Sequence, residues 1–339
     1  MGRRLSNHYR VVHYEWDSAQ VARPGPDDVL LGHPHPAPWT VFRRSAKQQG
    51  WKRVIILSPY CHGDLAQVAF LDPIVPRCDL YLAITGNHWY SSAGHSAFSH
   101  WFPKMVHVDL AVDRADFPVL KKRFKEPGRR SFLYIGHTAW YKNTAYLSEI
   151  ARLMPDTEIG WIGSGVRDIP GLTALGRHDF SGPGAKHVIS QYDFMLTVGR
   201  ADANPATILE SMAWGLIPVC TVQSGYVGYP GIPNIPLDDA PQAVEILKGL
   251  QFLPQERLNE MQQANWDALD THFNWNRFAN QVIEAVESDD SPSLAREPLS
   301  RKLLLRYAAL VSPYSVIRPW VLRQMGHVLL KGAKRCWQW

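Results

Sequence analysis

Short β-branched and aliphatic runs alternate with longer amphipathic stretches along most of the chain. In the first part, Arg10–Tyr14, Asp28–Leu31, Arg53–Leu57, Leu80–Ile84 and Met105–Val108 are bounded by Pro, Gly or Asp, as buried parallel strands are. A charged segment with Pro127 and Gly128, Lys121–Arg130, interrupts the pattern and reads as a linker. A second series follows, with strands at Phe132–Ile135, Ile159–Ile162, Phe194–Val198 and Ile217–Thr221. Helices are expected near Asn143–Arg152 and over Ala206–Trp214, Ala240–Leu250, Pro254–Ala268 and Trp275–Glu287. Strand–helix alternation in both parts predicts an α/β chain with two Rossmann-like parallel-sheet domains facing across a cleft. Ligands of such sheets bind beyond the carboxyl ends of the strands. The expected divisions are 1–126, 127–288 and a C-terminal extension, 289–339, opened by the polar Asp289–Pro298.

The length of 339 residues fits about two domains. Hydrophobic residues at 45% and charged residues at 20% exclude a disordered chain. The net charge of +5 hides a division: residues 301–339 carry eight basic side chains and no acidic one. The rest of the chain is therefore mildly acidic, and no nucleic-acid partner is expected. Cys61, Cys78, Cys220 and Cys336 form no CxxC pair, so no zinc site is signalled and reduced thiols in a cytoplasmic setting are expected. The start, MGRRLSNHYR, has no apolar core of a signal peptide, and no apolar run of about 18 residues predicts a spanning helix.

The densest chemistry lies in Arg200–Thr221, RADANPATILESMAWGLIPVCT. Asp202 and Glu210 are eight positions apart, the first on a turn and the second on a helix opened by Pro205 and Ala206. Free N–H groups at such a helix start attract phosphate. A carboxylate one turn further in can accept from ribose hydroxyls. Gly215 and Pro218 end the helix. The same residues also fit a capped amphipathic helix with a solvated Glu210.

The segment DANPATILESMAWGLIPV resembles the E-x7-E signature of glycosyltransferase family 4, in the GT-B superfamily. Glu210, Ala213, Gly215, Pro218 and Val219 match, Asp202 stands for the first Glu, and Asn204-Pro205 replaces Phe-Gly. Upstream, FLYIGHTAWYKN (Phe132–Asn143) resembles the family's strand and phosphate loop, with Gly136 and Lys142 matching, His137 in place of Arg and Asn143 in place of Gly. WIGSGV resembles its I-x-G-x-G loop through Gly163 and Gly165, and the helix at Trp275–Glu287 resembles its closing helix. In the first half, Asp27–Pro38 resembles a strand ending in the family's cleft histidine, here His33. His107–Pro118 resembles a further family segment through Val112, Asp113, Phe117 and Pro118, and Asp79 and Asp113 are read as structural. The likeness spans roughly Asp27 to Val286. It implies a first domain shorter than is usual, without the family's opening Gly-rich loop.

The resemblance implies the GT-B architecture and transfer of a sugar from a nucleotide diphosphate sugar to a glycan or lipid-linked acceptor. Transfer would proceed with retention and without a metal or other cofactor, in surface polysaccharide or glycolipid synthesis. His33, Asp202 and Lys142 would be catalytic, Lys142 neutralising the leaving diphosphate. Glu210, His137, Gly136, Gly163, Gly165, Asn204, Ala206 and Thr207 would bind the donor. His35, Tyr60 and His62, beyond the first strands, would face the acceptor. Interleaved basic and aromatic residues in 301–339 suit an amphipathic helix on the inner face of an anionic membrane, or a closing helix on the body. A non-catalytic binding module and a nucleotide-sugar epimerase remain the other readings.

Overall fold

The computed structural model describes residues 1–37, 39–63, 68–165, 168–290 and 292–294, with 300, 303, 304 and 307. Apart from those last three positions, the basic stretch 301–339 lies outside the described residues. The chain divides into two compact units. One holds Thr85–Trp89 and Asp109–Asn280, the other Gly2–Ile84, Tyr90–Val108 and the chain from Gln281 on.

The latter unit is built on four parallel strands, β1 (Val29–Gly32), β2 (Arg53–Pro59), β3 (Leu80–Ile84) and β4 (Met105–Val108), in the order β1-β2-β3-β4. Helices early in the chain include α1 (Gly2–Leu5), α2 (Val41–Ser45) and α3 (Asn87–Ala93). Ile55, Ile56, Tyr81, Leu82 and Ala83 are fully buried, which is why these strands read as continuous apolar runs. The strand expected at Arg10–Tyr14 does not form. That segment runs over the surface with Val12 and Tyr14 exposed, and an apolar run with no neighbouring strand cannot satisfy its backbone as a sheet. Asp79 accepts from the Val54 N–H at 2.7 Å and Asp113 caps the turn at Ala115, both structural uses.

The other unit carries a six-stranded parallel sheet. Its strands are β5 (Phe132–Ile135), β6 (Ile159–Ile162), β7 (Thr173–Gly176), β8 (Phe194–Thr197), β9 (Ile217–Thr221) and β10 (Asn234–Ile235). Its helices are α4 (Thr144–Leu153), α5 (Pro183–Ser190), α6 (Ala206–Trp214), α7 (Ala240–Gln251) and α8 (Gln255–Thr271). A last helix, α9 (Trp275–Glu287), begins in this unit and ends in the other. The order β10-β9-β8-β5-β6-β7 reverses between β5 and β8, the topological switch point at which doubly wound sheets bind ligands. Side chains alternate across β5: Phe132 and Tyr134 join α4 and α7 in one apolar layer, while Leu133 and Ile135 join α6 in the other.

The charged segment Lys121–Arg130 is not a solvated connector. Lys121 pairs with the fully buried Asp193 at 3.0 Å, and burial lowers the Lys121 pKa while Asp193 opposes that shift. Arg130, 1% exposed, donates to the Leu250, Gln251 and Leu253 carbonyls. Its guanidinium thereby holds the C-terminal end of α7 against the start of β5, where orphan carbonyls need donors. Composition alone could not separate a buried, satisfied arginine from an exposed one.

Candidate functional site

The switch-point edge gathers most of the donor residues that the sequence singled out. The loop after β5 begins at Gly136 and is gripped by two core aromatics. Trp161 Nε1 donates to the Gly136 carbonyl at 2.8 Å, and the Tyr134 hydroxyl to the His137 carbonyl at 2.7 Å. Gly163 lies so close that a Cβ there would stand 1.9 Å from the Gly136 oxygen. Backbone-to-backbone approach of this kind admits only glycine. The loop ends at Asn143, whose φ of 57° puts it in the left-handed region that asparagine tolerates.

Lys142 precedes that residue and points to the loop after β8. Its Nζ donates to Asp202 Oδ2 at 2.5 Å, and both side chains are only 13% exposed. Sixty positions separate the pair in sequence. An ammonium has three donors, so one bond to Asp202 leaves others for an anion. Arg200 donates to Asn143 Oδ1 at 2.9 Å and pairs with Asp238 at 2.9 Å, while its N–H donates to the Tyr141 carbonyl at 2.9 Å. Asn143 also donates to Asp238, which is itself left-handed with φ 58°. The two loops are thus clamped together by Arg200, Asn143 and Asp238. The sequence marks none of these as a site residue, because no local spacing reports a bond between positions so far apart.

The β8–α6 loop has further ties. The Thr221 hydroxyl donates to the Gly199 carbonyl at 2.5 Å, and the fully buried Tyr226 donates to the Pro205 carbonyl at 3.2 Å. Asn204 is tied to the fold by one end of its amide. Its Oδ1 accepts from the Leu110 N–H at 2.8 Å, while its Nδ2, buried beside the helix start, has no partner among the described residues. A buried amide donor left unmade is costly, so this group marks a place where an acceptor would be favourable. Ala206 and Thr207 then open α6, where first-turn N–H groups have no intrahelical acceptor and carry the positive end of the helix dipole.

Glu210, one turn further on, is half-buried, and no hydrogen bond or ion pair engages its carboxylate among the described residues. Burial raises its pKa above the usual carboxylate value. His137 is a weaker cation than the arginine of the resemblance. Burial and then the Lys142 charge lower its pKa, with Asp202 opposing. Its Nδ1 accepts from the Ala139 N–H at 3.2 Å and its Nε2 meets the Tyr141 hydroxyl at 3.0 Å. Gly165 ends the described part of the loop after β6. A cavity of about 330 Å³ adjoins the β5–α4 loop, lined by Thr138, Thr144, Ser148 and Asp168 among others.

The residues singled out in the first half lie in the four-stranded unit. His33 follows β1 directly, with its Nδ1 3.0 Å from Ser58 Oγ. Desolvation and then His35 lower its pKa, favouring the neutral ring. His35 Nδ1 accepts from the Ala37 N–H at 3.1 Å. His62 Nε2 lies 3.3 Å from Ser92 Oγ. Tyr60 does not face an acceptor. It is 0% exposed, packs against Tyr81, Phe98 and Trp101, and bonds to Ser96 at 3.0 Å, while burial pushes its hydroxyl pKa to about 12. Its position just past β2 turned it inward, which the strand pattern did not reveal. Among the described residues no cluster of three or more His, Cys, Asp or Glu is placed to hold a metal ion. Nor is any helix among them long and apolar enough to cross a membrane.

No family model matches the chain, and no curated protein sequence matches it. Solved structures do. TarM is similar with a TM-score of 0.60 and 8% identity over 78% of this chain and 55% of TarM. A variant of S. aureus TarM, crystallised with fondaparinux, α-GlcNAc-glycerol and UDP, gives 0.58 and 10% over 78% and 56%. Sucrose-phosphate synthase from Thermosynechococcus elongatus gives 0.58 and 11% over 76% and 72%. The apo lipopolysaccharide outer core galactosyltransferase WaaB gives 0.55 and 14% over 76% and 75%. The chain thus spans little more than half the length of TarM. Likeness at such low identity speaks to architecture: with two Rossmann-like parallel-sheet units and these neighbours, the chain has the GT-B fold.

Proposed function

We propose that the protein is a glycosyltransferase moving a sugar from a nucleotide diphosphate sugar to a glycan or lipid-linked acceptor. The observation that carries this reading is the convergence at the switch point of Lys142, Asp202, the start of α6 and the unpaired Glu210. In this reading Glu210 accepts from the ribose hydroxyls. The first N–H groups of α6, the Asn204 amide and Lys142 receive the diphosphate, where fixed donors stabilise developing charge without reorganising. The bond from the sugar's anomeric carbon to the diphosphate oxygen breaks with its electron pair on the diphosphate. The acceptor hydroxyl oxygen bonds to that carbon, and its proton passes to a donor phosphate oxygen on the same face, giving retention. No metal is required in this scheme, because Lys142 and backbone N–H groups supply the positive charge. His33 and Asp202 orient the transferred sugar, and the acceptor lies with the four-stranded unit. Surface polysaccharide or glycolipid synthesis is the process this chemistry would serve, with 301–339 holding the protein to an anionic membrane.

Calorimetric titration with UDP, GDP, ADP and CMP, with Glu210→Ala as control, tests the donor site. Binding of one nucleotide, lost in the variant, supports the reading. Absence of binding to folded protein sinks it. Binding of the sugar nucleotide without turnover toward any acceptor or water would identify a binding module instead.

A further inference from the structure

Two tryptophans stand at the surface of the four-stranded unit, outside the donor site. Trp16 and Trp39 are each 52% exposed. The Trp16 ring packs on His35 with centroids 4.6 Å apart, and His35 meets His33 edge-on at 6.3 Å. His33 follows the last residue of β1, and Ser58, which holds it, lies near the end of β2. The chain of contacts from His33 through His35 to Trp16 therefore starts at the carboxyl edge of a parallel sheet, the edge at which such sheets take ligands.

These rings are held in place although the segment before β1 has no strand or helix around Trp16. The Val41 N–H donates to the Trp16 carbonyl at 3.1 Å, two positions beyond Trp39. Arg44 donates to the Ser18 and Gln20 carbonyls at 2.6 and 2.9 Å, and Arg43 to the Pro36 carbonyl at 2.6 Å. Nearby guanidinium groups are thus spent on backbone, while the carboxylates beside Trp16, Glu15 and Asp17, stand exposed. Half-exposed tryptophans on a pinned backbone are large apolar surface kept in water, which marks a binding surface.

The occupant follows from the mixture of groups. A pyranose has a face of C–H groups that packs on an aromatic ring and a rim of hydroxyls that needs donors and acceptors. In the neutral ring, His35 Nδ1 already accepts from Ala37, so its Nε2 carries the proton and can donate to a hydroxyl. Glu15 and Asp17 can accept from hydroxyls and would repel phosphate or uronate. We infer that Trp16 and His35, with Trp39 on the adjoining backbone, form a platform for the pyranose rings of a neutral glycan, beside His33. In the proposed transferase this names the acceptor class, and to that extent it rests on that reading, but the binding itself does not require a nucleotide.

The test uses the full chain and an array of neutral hexose and N-acetylhexosamine oligosaccharides beside uronic and sulfated ones. Affinities follow from tryptophan fluorescence titration. Wild-type protein should bind a neutral oligosaccharide, and Trp16→Ala and Trp39→Ala should each weaken it about tenfold, the usual loss for truncating an aromatic anchor. Nucleotide affinity and melting temperature should stay at the parent values, since both rings are at the surface. Failure of every neutral oligosaccharide, binding confined to the anionic ones, or binding unchanged in the double variant would each overturn the proposal. So would a wild-type dimer in sedimentation that becomes a monomer in the double variant, which would make the rings a self-interface. Glycan binding with no nucleotide binding would leave the platform standing while the transferase reading fell, and the converse would separate them the other way.

Discussion

Gly163→Ala is a sharp test of how the loop after β5 is built. The added Cβ would lie 1.9 Å from the Gly136 oxygen, 2.8 Å from its carbonyl carbon and 2.8 Å from Trp161 Nε1. Two of these neighbours are backbone and cannot rotate away. To reach ordinary contact the Gly136 carbonyl must retreat by more than an ångström, on the order of a full loop displacement. It would then lose the Trp161 bond, now 2.8 Å, and strand a buried indole donor. Overpacking and the lost bond together cost about 2–6 kcal/mol. For a unit of this size that lowers the melting temperature by about 5–20 °C. Gly184→Ala is the control: a Cβ there meets nothing within 4 Å, and the position is in α5, where alanine is favoured by about 0.5–1 kcal/mol. Thermal denaturation followed by far-UV and tryptophan signals reads both variants, with a nucleotide titration on whatever folds. If Gly163→Ala melts within about 2 °C of the parent and binds nucleotide equally, the close approach of the two glycines is not real and the reasoning fails.

Other outcomes follow from the same geometry. Asn143→Ala removes the bonds to Arg200 and Asp238 and forces alanine into a left-handed backbone costing about 1–2 kcal/mol, whereas Asn143→Gly avoids that last cost. Denaturant midpoints should therefore rank parent, Gly, then Ala, and equal loss in both variants would remove the backbone argument. Glu210 has its pKa raised by burial, so it favours folding at low pH and that contribution is lost as pH rises through its folded value. Glu210→Gln should accordingly melt higher than the parent at pH 8, with the gap closing toward pH 4, while nucleotide affinity falls; a pH-independent gap would contradict this. Lys142→Gln should weaken nucleoside diphosphates about tenfold or more relative to the monophosphates, as expected for a lost charge-assisted bond, and equal weakening of both would place Lys142 away from the terminal phosphate.

The local pattern was informative wherever a segment is buried on both faces. Phe132–Ile135, Ile159–Ile162 and Ile217–Thr221 read as strands because every residue in them is buried. Thr173–Gly176 has no strand pattern in sequence since it is an edge strand with largely exposed side chains, and Asn234–Ile235 none because two residues carry no period. Arg10–Tyr14 failed for the opposite reason: its β-branched residues have strand character but no sheet edge to join. Asn143 shows how far a motif can be read. A glycine is usual at that place in the resemblance, and the left-handed φ of 57° explains why, with asparagine able to occupy the same region and also to bond Arg200.

By itself the amino-acid sequence determined the alternation of strands and helices, the glycines at tight approaches, which loops carry Lys142 and Asp202, and which helix carries Glu210. Those are local properties, set by burial period, backbone freedom and helix termini. Tertiary structure alone decided that Lys142 is paired with Asp202, that Arg200 clamps Asn143 to Asp238, and that Tyr134 and Trp161 grip the loop from the core. It also turned Tyr60 inward and left Trp16 and Trp39 at the surface. The reason is strand order: β5 and β8 are neighbours in the sheet although β6 and β7 lie between them in the chain. A contact across that gap depends on how the sheet is wound, which no window of neighbouring residues encodes.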